Sequence, residues 1–340
     1  MKRLLLIAAL AVAACSDNTG PTPPASGGVS VPPMSMNRTR VPRNGFVTVA
    51  AGVRLHYIDF GGTGEPILLL AGLGNTAHVF EHFAPRLTDR FHVIALTRRG
   101  FGASTLALDG YDTRSLSEDI RVVLDSLRLA RVNLVGHSVA GDEMTRFAGD
   151  HPDRVSKMVY LDGAYDRIAI QALLAQYPPP PPPDVTVDDV ASLRAFSRYV
   201  ARVRGVELPR AELTAQWIFA ADGSLLGEVT PVEVYLAILA GEERPDYSRV
   251  VAPALGIFAV ADTPRDFAPW VTPKSAAWAS LETLLQTVYS PFYRGQREQF
   301  DAGVPRSTRV DLHHANHYVF ISDADRVERE LRSFLDGKER

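Results

Sequence analysis

One cysteine, Cys15, stands in 340 residues, so no intramolecular disulfide can form. Charge of one sign is equally scarce. A formal net charge of −3 gives no electrostatic reason to expect nucleic acid or an acidic membrane surface as partner. Long hydrophobic runs are missing too: the uncharged stretch 4–14 is too short to span a bilayer as a mature helix. There is no internal repeat of fixed period, which sets solenoids and propellers aside. What remains is 46% apolar and 22% charged residues, ordinary for a globular chain long enough for one large core, or for a core with an insertion.

The short apolar stretch has a basic start, Met1-Lys2-Arg3, and ends Val12-Ala13-Ala14-Cys15. This is the layout of a secretory signal. Small residues before the lone cysteine resemble the lipobox of bacterial lipoproteins, in which the thiol is acylated and becomes the mature N-terminus. A plain signal peptide cut at an Ala-x-Ala site is the alternative. The expectation is a signal peptide over 1–14, then an anchor and tether over 15–45. The protein would be exported and held by Cys15 on the periplasmic or outer-surface face of the cell envelope. Residues 16–33, rich in Ser, Gly, Pro and Thr, lack the apolar surface to offset their ordering entropy.

From residue 46 the pattern alternates strands and helices. Segments 46–50 and 53–60 predict a hairpin around Ala51-Gly52. Buried strands are predicted at 67–71, 91–96, 132–135, 155–161, 254–260 and near 308–312, with helices at 77–87, 139–149 and from Ser322 onward. Leu116, Ile120, Val123, Leu124 and Leu127 share one face of a further helix. This rhythm predicts an α/β class chain, with a mostly parallel central sheet covered on both faces. Over 163–250 the rhythm breaks. Six prolines, 178–183, precede two helices, one over 186–204 and one opened by a Thr230-Pro231-Val232-Glu233 capping box and closed at Gly241. No strand is predicted there. The region reads as a helical cap dividing a core of 46–162 and 251–340. Phe196, Tyr199, Trp217, Phe219 and Tyr235, with Trp270 beyond it, are candidates for an apolar pocket.

Gly136-His137-Ser138-Val139-Ala140-Gly141 lies between a predicted strand and a predicted helix. That is the setting of a nucleophile elbow, a sharp turn that lifts a serine hydroxyl above a sheet. The G-x-S-x-G pattern is met except that Ala140 replaces the second glycine. A serine hydroxyl needs a base to take its proton, and His313, His314 and His317 cluster after the last strand.

Together these features resemble the α/β-hydrolase superfamily. Residues 67–74 (ILLLAGLG) are similar to its oxyanion strand and loop. Residues 97–104 (TRRGFGAS) resemble its D-x-R-G-x-G-x-S turn, with Thr97 at the Asp position. The resemblance implies a serine hydrolase with Ser138 as nucleophile and His317 as base. The oxyanion hole would come from the backbone N–H groups of Leu73 and Val139. It places the acid at Asp262, after the strand 254–260, with Asp162 as the alternative that some relatives use and Asp266 behind both. The reaction implied is acyl transfer on a small or medium ester, with no metal or organic cofactor; lipase, thioesterase and amidase chemistry share the apparatus. A serine at the elbow argues against haloalkane dehalogenase or epoxide hydrolase chemistry, which uses aspartate there.

Two readings from other classes compete. His78-Val79-Phe80-Glu81-His82 matches the H-x-x-E-H zinc-peptidase pattern, which on a helix would put both histidines on one face. A surface binding protein that kept the fold without the chemistry is the other.

Overall fold

The structure is a computed structural model that describes residues 41–337. The expected signal peptide, Cys15 and most of the tether lie outside the described residues.

The described chain opens with the hairpin β1 (Arg43–Ala50) and β2 (Val53–Gly61), turned at Gly52 in a left-handed conformation with φ +74°. There follow β3 (Pro66–Leu70), β4 (His92–Leu96), α1 (Thr113–Ser126), β5 (Val132–His137), α2 (Ala140–Asp150) and β6 (Val155–Leu161). After a long excursion come β9 (Ala254–Val260) and β10 (Ser307–His313). The eight strands form one sheet in the order β1-β2-β4-β3-β5-β6-β9-β10, antiparallel at β1, β2 and β4 and parallel from β4 onward.

Side chains on the parallel strands alternate between two cores, as a strand's period of two requires. Leu68, Leu70 and Leu134 join the core beneath α1 and α2, whereas Ile67, Leu69 and Val135 face the opposite side. That opposite core is closed by α12 (Ala324–Leu335), which turns Val327, Leu331 and Leu335 inward after the single turn α11 (Val319–Ser322).

The region 77–87 is not one helix. Two 3₁₀ turns, Ala77–Phe80 and Ala84–Leu87, pack on the face of the sheet that carries Ile67 and Leu69, with Pro85 in the first turn of the second. Proline offers no N–H to an α-helical ladder, and the segment stays in short pieces.

Between β6 and β9 lie α3 (Arg167–Gln176), α4 (Val187–Val190), α5 (Leu193–Arg204), α6 (Arg210–Gln216) and α7 (Val232–Ala240). Contrary to expectation, this stretch also holds a small antiparallel ribbon, β7 (Trp217–Phe219) and β8 (Leu225–Glu228). The predicted capping box does not form. Pro231 occupies the N-cap of α7, and the Thr230 hydroxyl donates instead to the carbonyl of Gly100 at 2.8 Å, tying this stretch to the loop after β4. Phe196 packs on Tyr199, Trp217 and Phe219, and these rings join the core on the Ile67, Leu69 and Val135 face of the sheet. Trp270 donates from Nε1 to the carbonyl of Pro180. Between β9 and β10 the chain adds α8 (Pro264–Phe267), α9 (Ala276–Leu284) and α10 (Ser290–Gly303), the last two joined through a π-helical turn, Leu285–Tyr289. No helix among the described residues is long and apolar enough to cross a membrane.

Candidate active site

The C-terminal ends of β5 and β6 are neighbours, paired at His137↔Leu161, and the residue following each pair member adopts a left-handed backbone. Ser138 has φ +54° and Asp162 φ +47°. Such a conformation in a residue with a Cβ costs on the order of 1–3 kcal/mol and persists only where neighbours enforce it. At Ser138 the enforcement is visible: its N–H donates to Leu161 O (3.1 Å), and its carbonyl accepts from Gly141 N (2.9 Å).

Three glycines make the crossing possible. A Cβ on Gly141 would stand 1.9 Å from the Gly163 carbonyl, and one on Gly163 would meet Ser138 O at 3.0 Å. A Cβ on Gly136 would lie 2.4 Å from the Met144 sulfur and 3.2 Å from Ala140 Cβ. Space left by Gly136 is what lets alanine replace the second glycine of the elbow.

His317 follows β10 on the loop to α11. Its Nδ1 lies 2.6 Å from Asp162 Oδ2, and both side chains are buried. The other Asp162 oxygen, Oδ1, accepts from Tyr165 OH (2.6 Å) and from Ala259 N (3.1 Å). With Nδ1 committed to the carboxylate, the neutral imidazole carries its proton there and keeps Nε2 as the basic atom. The buried His137 ring packs against that of His317 with centroids 4.6 Å apart, and its Nε2 is 3.0 Å from the His317 carbonyl. Burial and the neighbouring His317 hold the His137 imidazole well below its usual pKa, so it is a neutral donor fixing the loop. No hydrogen bond joins Ser138 Oγ to His317 among the described residues.

Asp262, the expected acid, does not reach His317. It pairs with His313 Nδ1 at 2.9 Å, while Asp266 pairs with His314 Nδ1 at 2.9 Å and caps α8. The physical reason is position. Asp162 leaves the strand adjacent to the serine strand, whereas Asp262 leaves the next strand outward and meets the histidines at the near end of the 313–317 loop.

The N–H groups of Leu73 and Val139 donate to no protein acceptor among the described residues. Val139 precedes the first turn of α2, where amides lack intrahelical partners and the helix dipole favours negative charge. Leu73 sits in the turn closed by Asn75 N to Gly72 O.

Solved structures and sequence families bear on this geometry. E-2-(acetamidomethylene)succinate hydrolase superposes with a TM-score of 0.62 over 87% of this chain and 99% of that chain, at 22% identity. Residues 65–207 match the alpha/beta hydrolase fold family. This chain has the α/β-hydrolase fold. Within it, the soluble epoxide hydrolase of Corynebacterium sp. (strain C12) is 33% identical over 111 residues, covering 33% of this chain and 38% of that protein. The putative carbamate hydrolase RutD of Caulobacter vibrioides (strain NA1000 / CB15N) is 34% identical over 121 residues, covering 34% of this chain and 45% of that protein. The chain thus spans less than half the length of these curated relatives.

Among the described residues the zinc-peptidase pattern has no matching geometry. His78 sits on the 3₁₀ turn Ala77–Phe80 and Glu81 and His82 in the turn after it, and His78 stacks on His56 with centroids 5.6 Å apart. The group of described residues whose ligand atoms do converge is Asp262, Asp266 and His314, where the carboxylates are already engaged by histidines and backbone amides.

Two polar networks escaped the sequence reading. In the first, Arg98 bridges the loop after β3 and the helix α2. It donates to Ala71 O (2.8 Å) and Gly72 O (3.3 Å) and pairs with Glu143 of α2 at 2.7 Å, with both side chains buried. Arg98 fills the unspecified position before the R-G-x-G turn, whose own arginine, Arg99, pairs with Asp119 of α1 at 2.6 Å, so the sequence marked neither Arg98 nor its partner. In the second, Glu212 of α6, fully buried, accepts from Asn75 Nδ2 (2.9 Å), Thr76 N (3.0 Å), Thr76 Oγ1 and Gln216 Nε2. Tyr318 OH donates to Asn75 Oδ1 and accepts from Arg204 Nη1, and Asn316 Nδ2 donates to Arg204 O. The α5–α6 segment, the loop after β3 and the loop after β10 are therefore one hydrogen-bonded unit. Thr97, at the place of the expected Asp, holds its turn by accepting from Ala77 N (2.9 Å) and meeting His56 Nδ1 (3.0 Å).

Proposed function

We propose that this protein is a serine hydrolase that cleaves ester-type bonds of small or medium acyl substrates through Ser138, His317 and Asp162. The observation that carries the reading is the buried His317–Asp162 pair set beside a serine in a strained strand-to-helix turn. Ser138 Oγ attacks the carbonyl carbon while His317 Nε2 takes its proton. Asp162 holds the imidazole and stabilises the imidazolium. The tetrahedral oxyanion is met by the N–H groups of Leu73 and Val139. Collapse expels the alcohol, which leaves with the proton from His317, and water then clears the acyl-enzyme by the same route. The Ser138–His317 hydrogen bond is one the substrate complex has to close, as catalytic hydrogen bonds commonly tighten on binding.

The curated relatives include an epoxide hydrolase and a putative carbamate hydrolase. Serine at position 138 supports acyl transfer over the aspartate-dependent opening of an epoxide, while a carbamate carbonyl suits the same apparatus. Labelling with a fluorophosphonate probe tests the reading: an adduct on Ser138 that is lost in Ser138→Ala supports it, and absence of any adduct supports a binding protein. A chain-length series of p-nitrophenyl esters then reports acyl size, and turnover of long-chain emulsions alone would remove the small-acyl assignment. The sequence of residues 1–33 supports export and anchoring through an acylated Cys15.

A further inference from the structure

A cavity of about 820 Å³, part of it open to solvent, is bordered by His317 and Asp162. Ser138, Leu73 and Val139 are not in its lining, and its remaining wall is cationic as well as aromatic. Two arginines, Arg167 of α3 and Arg297 of α10, reach it alongside Tyr165 and Tyr293. Arg167 is 8% exposed, yet its Nε and Nη2 have no hydrogen-bond partner, and it forms no ion pair among the described residues. Its guanidinium leans on the face of Tyr165, 5.4 Å from the ring centroid. Arg297 is also buried, and its Nε lies 3.5 Å from Asp311 without a hydrogen bond. The one carboxylate on this wall, Asp162, is already taken by His317, Tyr165 and a backbone amide.

A guanidinium held out of water with idle donors is expensive unless something pairs with it. The acids nearest in the electrostatics of Arg167, Asp142 and Glu242, make no ion pair with it, and each keeps one buried oxygen unpartnered. Burial also pushes the Asp142 carboxyl well above its usual range and raises Glu242 to about 7, which weakens both as counter-charges. An acceptor with two oxygens would answer the fork of Arg167.

We propose that Arg167 is a specificity-determining residue that binds a carboxylate of the substrate, so the enzyme prefers acidic esters, such as half-esters of dicarboxylic acids, over neutral ones. The proposal rests on the serine-hydrolase reading above and names the substrate class of that same site.

The test compares kcat/KM for p-nitrophenyl hemiglutarate and p-nitrophenyl pentanoate, which match in length and differ in the terminal carboxylate. Wild type is expected to favour the hemiglutarate by about thirtyfold or more, the range of a charge-assisted bidentate contact. That ratio should collapse toward one in Arg167→Met and be kept in part by Arg167→Lys. Equal turnover of the two esters by wild type, or an unchanged ratio in Arg167→Met, overturns the proposal and returns Arg167 to a water-bridged structural role with Asp142 and Glu242. Should Arg167→Met fail to fold, inhibition of wild type decides: competition by glutarate and not by pentanamide supports the carboxylate site, and equal inhibition by both refutes it. A second measurement separates the proposal from the reaction. Calorimetric titration of Ser138→Ala with monomethyl glutarate should show binding that disappears on adding Arg167→Met. If wild type turns over neither ester, the hydrolase reading falls and this titration alone judges the site, with no heat of binding counting against it.

Discussion

Replacing Asp162 by Asn tests the arrangement at its most informative atom. Asp162 Oδ1 is claimed by two donors, Tyr165 OH and Ala259 N, and Oδ2 faces His317 Nδ1 at 2.6 Å. An asparagine there has one acceptor oxygen and one donor NH₂. The two fixed donors draw the oxygen to the Oδ1 position, which turns the NH₂ toward His317. Nδ1 must then accept, so the imidazole proton moves to Nε2, and the atom that should take the Ser138 proton no longer has a lone pair. The equivalent change in a Ser-His-Asp triad lowers kcat by about 10⁴, roughly 5.5 kcal/mol of transition-state stabilisation. The assay is kcat on a soluble p-nitrophenyl ester, with fluorophosphonate labelling rate as a second readout and a thermal melt to show that the variant is folded. Asp262→Asn, made in parallel, should stay within about threefold of wild type, because its side-chain partners among the described residues are exposed histidines outside the proposed machinery. A folded Asp162→Asn enzyme that kept a tenth of its activity, or a greater loss from Asp262→Asn, would refute the assignment of the acid.

Glu143→Leu leaves Arg98 buried beneath the oxyanion loop without its partner. It should cost about 3–5 kcal/mol in denaturant unfolding and lower kcat more than it raises KM; a change under 1 kcal/mol would mean the pair is dispensable. Glu242 gives a pH signature: burial raises its folded pKa to about 7, above the ordinary 4.5. The folded state therefore holds the proton more tightly, and stability falls as pH rises between those values, by up to about 3 kcal/mol for this group. Glu242→Gln should flatten that part of the stability–pH curve, and an unchanged slope would exclude the group as its source. Cys15→Ser should release the protein from the membrane fraction and abolish incorporation of radiolabelled palmitate, whereas continued membrane association would end the lipobox reading.

What could be read in the sequence was what local chemistry determines. The elbow was legible because a strained serine demands small neighbours within a few positions, and Gly136 and Gly141 are those neighbours. The parallel strands were legible as continuous apolar runs, since both faces of the sheet are covered. The failures each turn on a contact between distant segments. Thr230 has the spacing of a cap, but its hydroxyl finds Gly100, 130 residues away. Which aspartate serves His317 depends on which strand end lies within reach of Nδ1, a fact of sheet order. A local sign was nonetheless present. Asp162 is followed by Gly163 directly after a strand, and aspartate tolerates the left-handed backbone such an abrupt exit needs. The Glu143 and Glu212 networks left no sign, because nothing in a helix marks one carboxylate as the partner of a far-off loop.

The placement of the acid also shapes what surrounds the site. With Asp162 supplying the carboxylate from the end of β6, the end of β9 need not carry it. Ala259, Val260 and Ala261 lie at that strand end ahead of Asp262, and all three border the cavity. Small side chains at that strand end open the space, and Ala259 N–H still serves the acid through its bond to Oδ1. The chain leaving Asp162 runs through Tyr165, which holds the same oxygen, and into the first turn of α3, where Arg167 borders the cavity. Six residues thus connect the group that orients the base to the group proposed to read the substrate's charge. A substrate carboxylate drawn onto Arg167 would settle against a segment already anchored at Asp162, so its binding energy would be spent on a rigid frame that includes His317. On this argument a half-ester should gain in kcat as well as in KM over its neutral counterpart, and a gain confined to KM would mean that the two ends of the segment act independently.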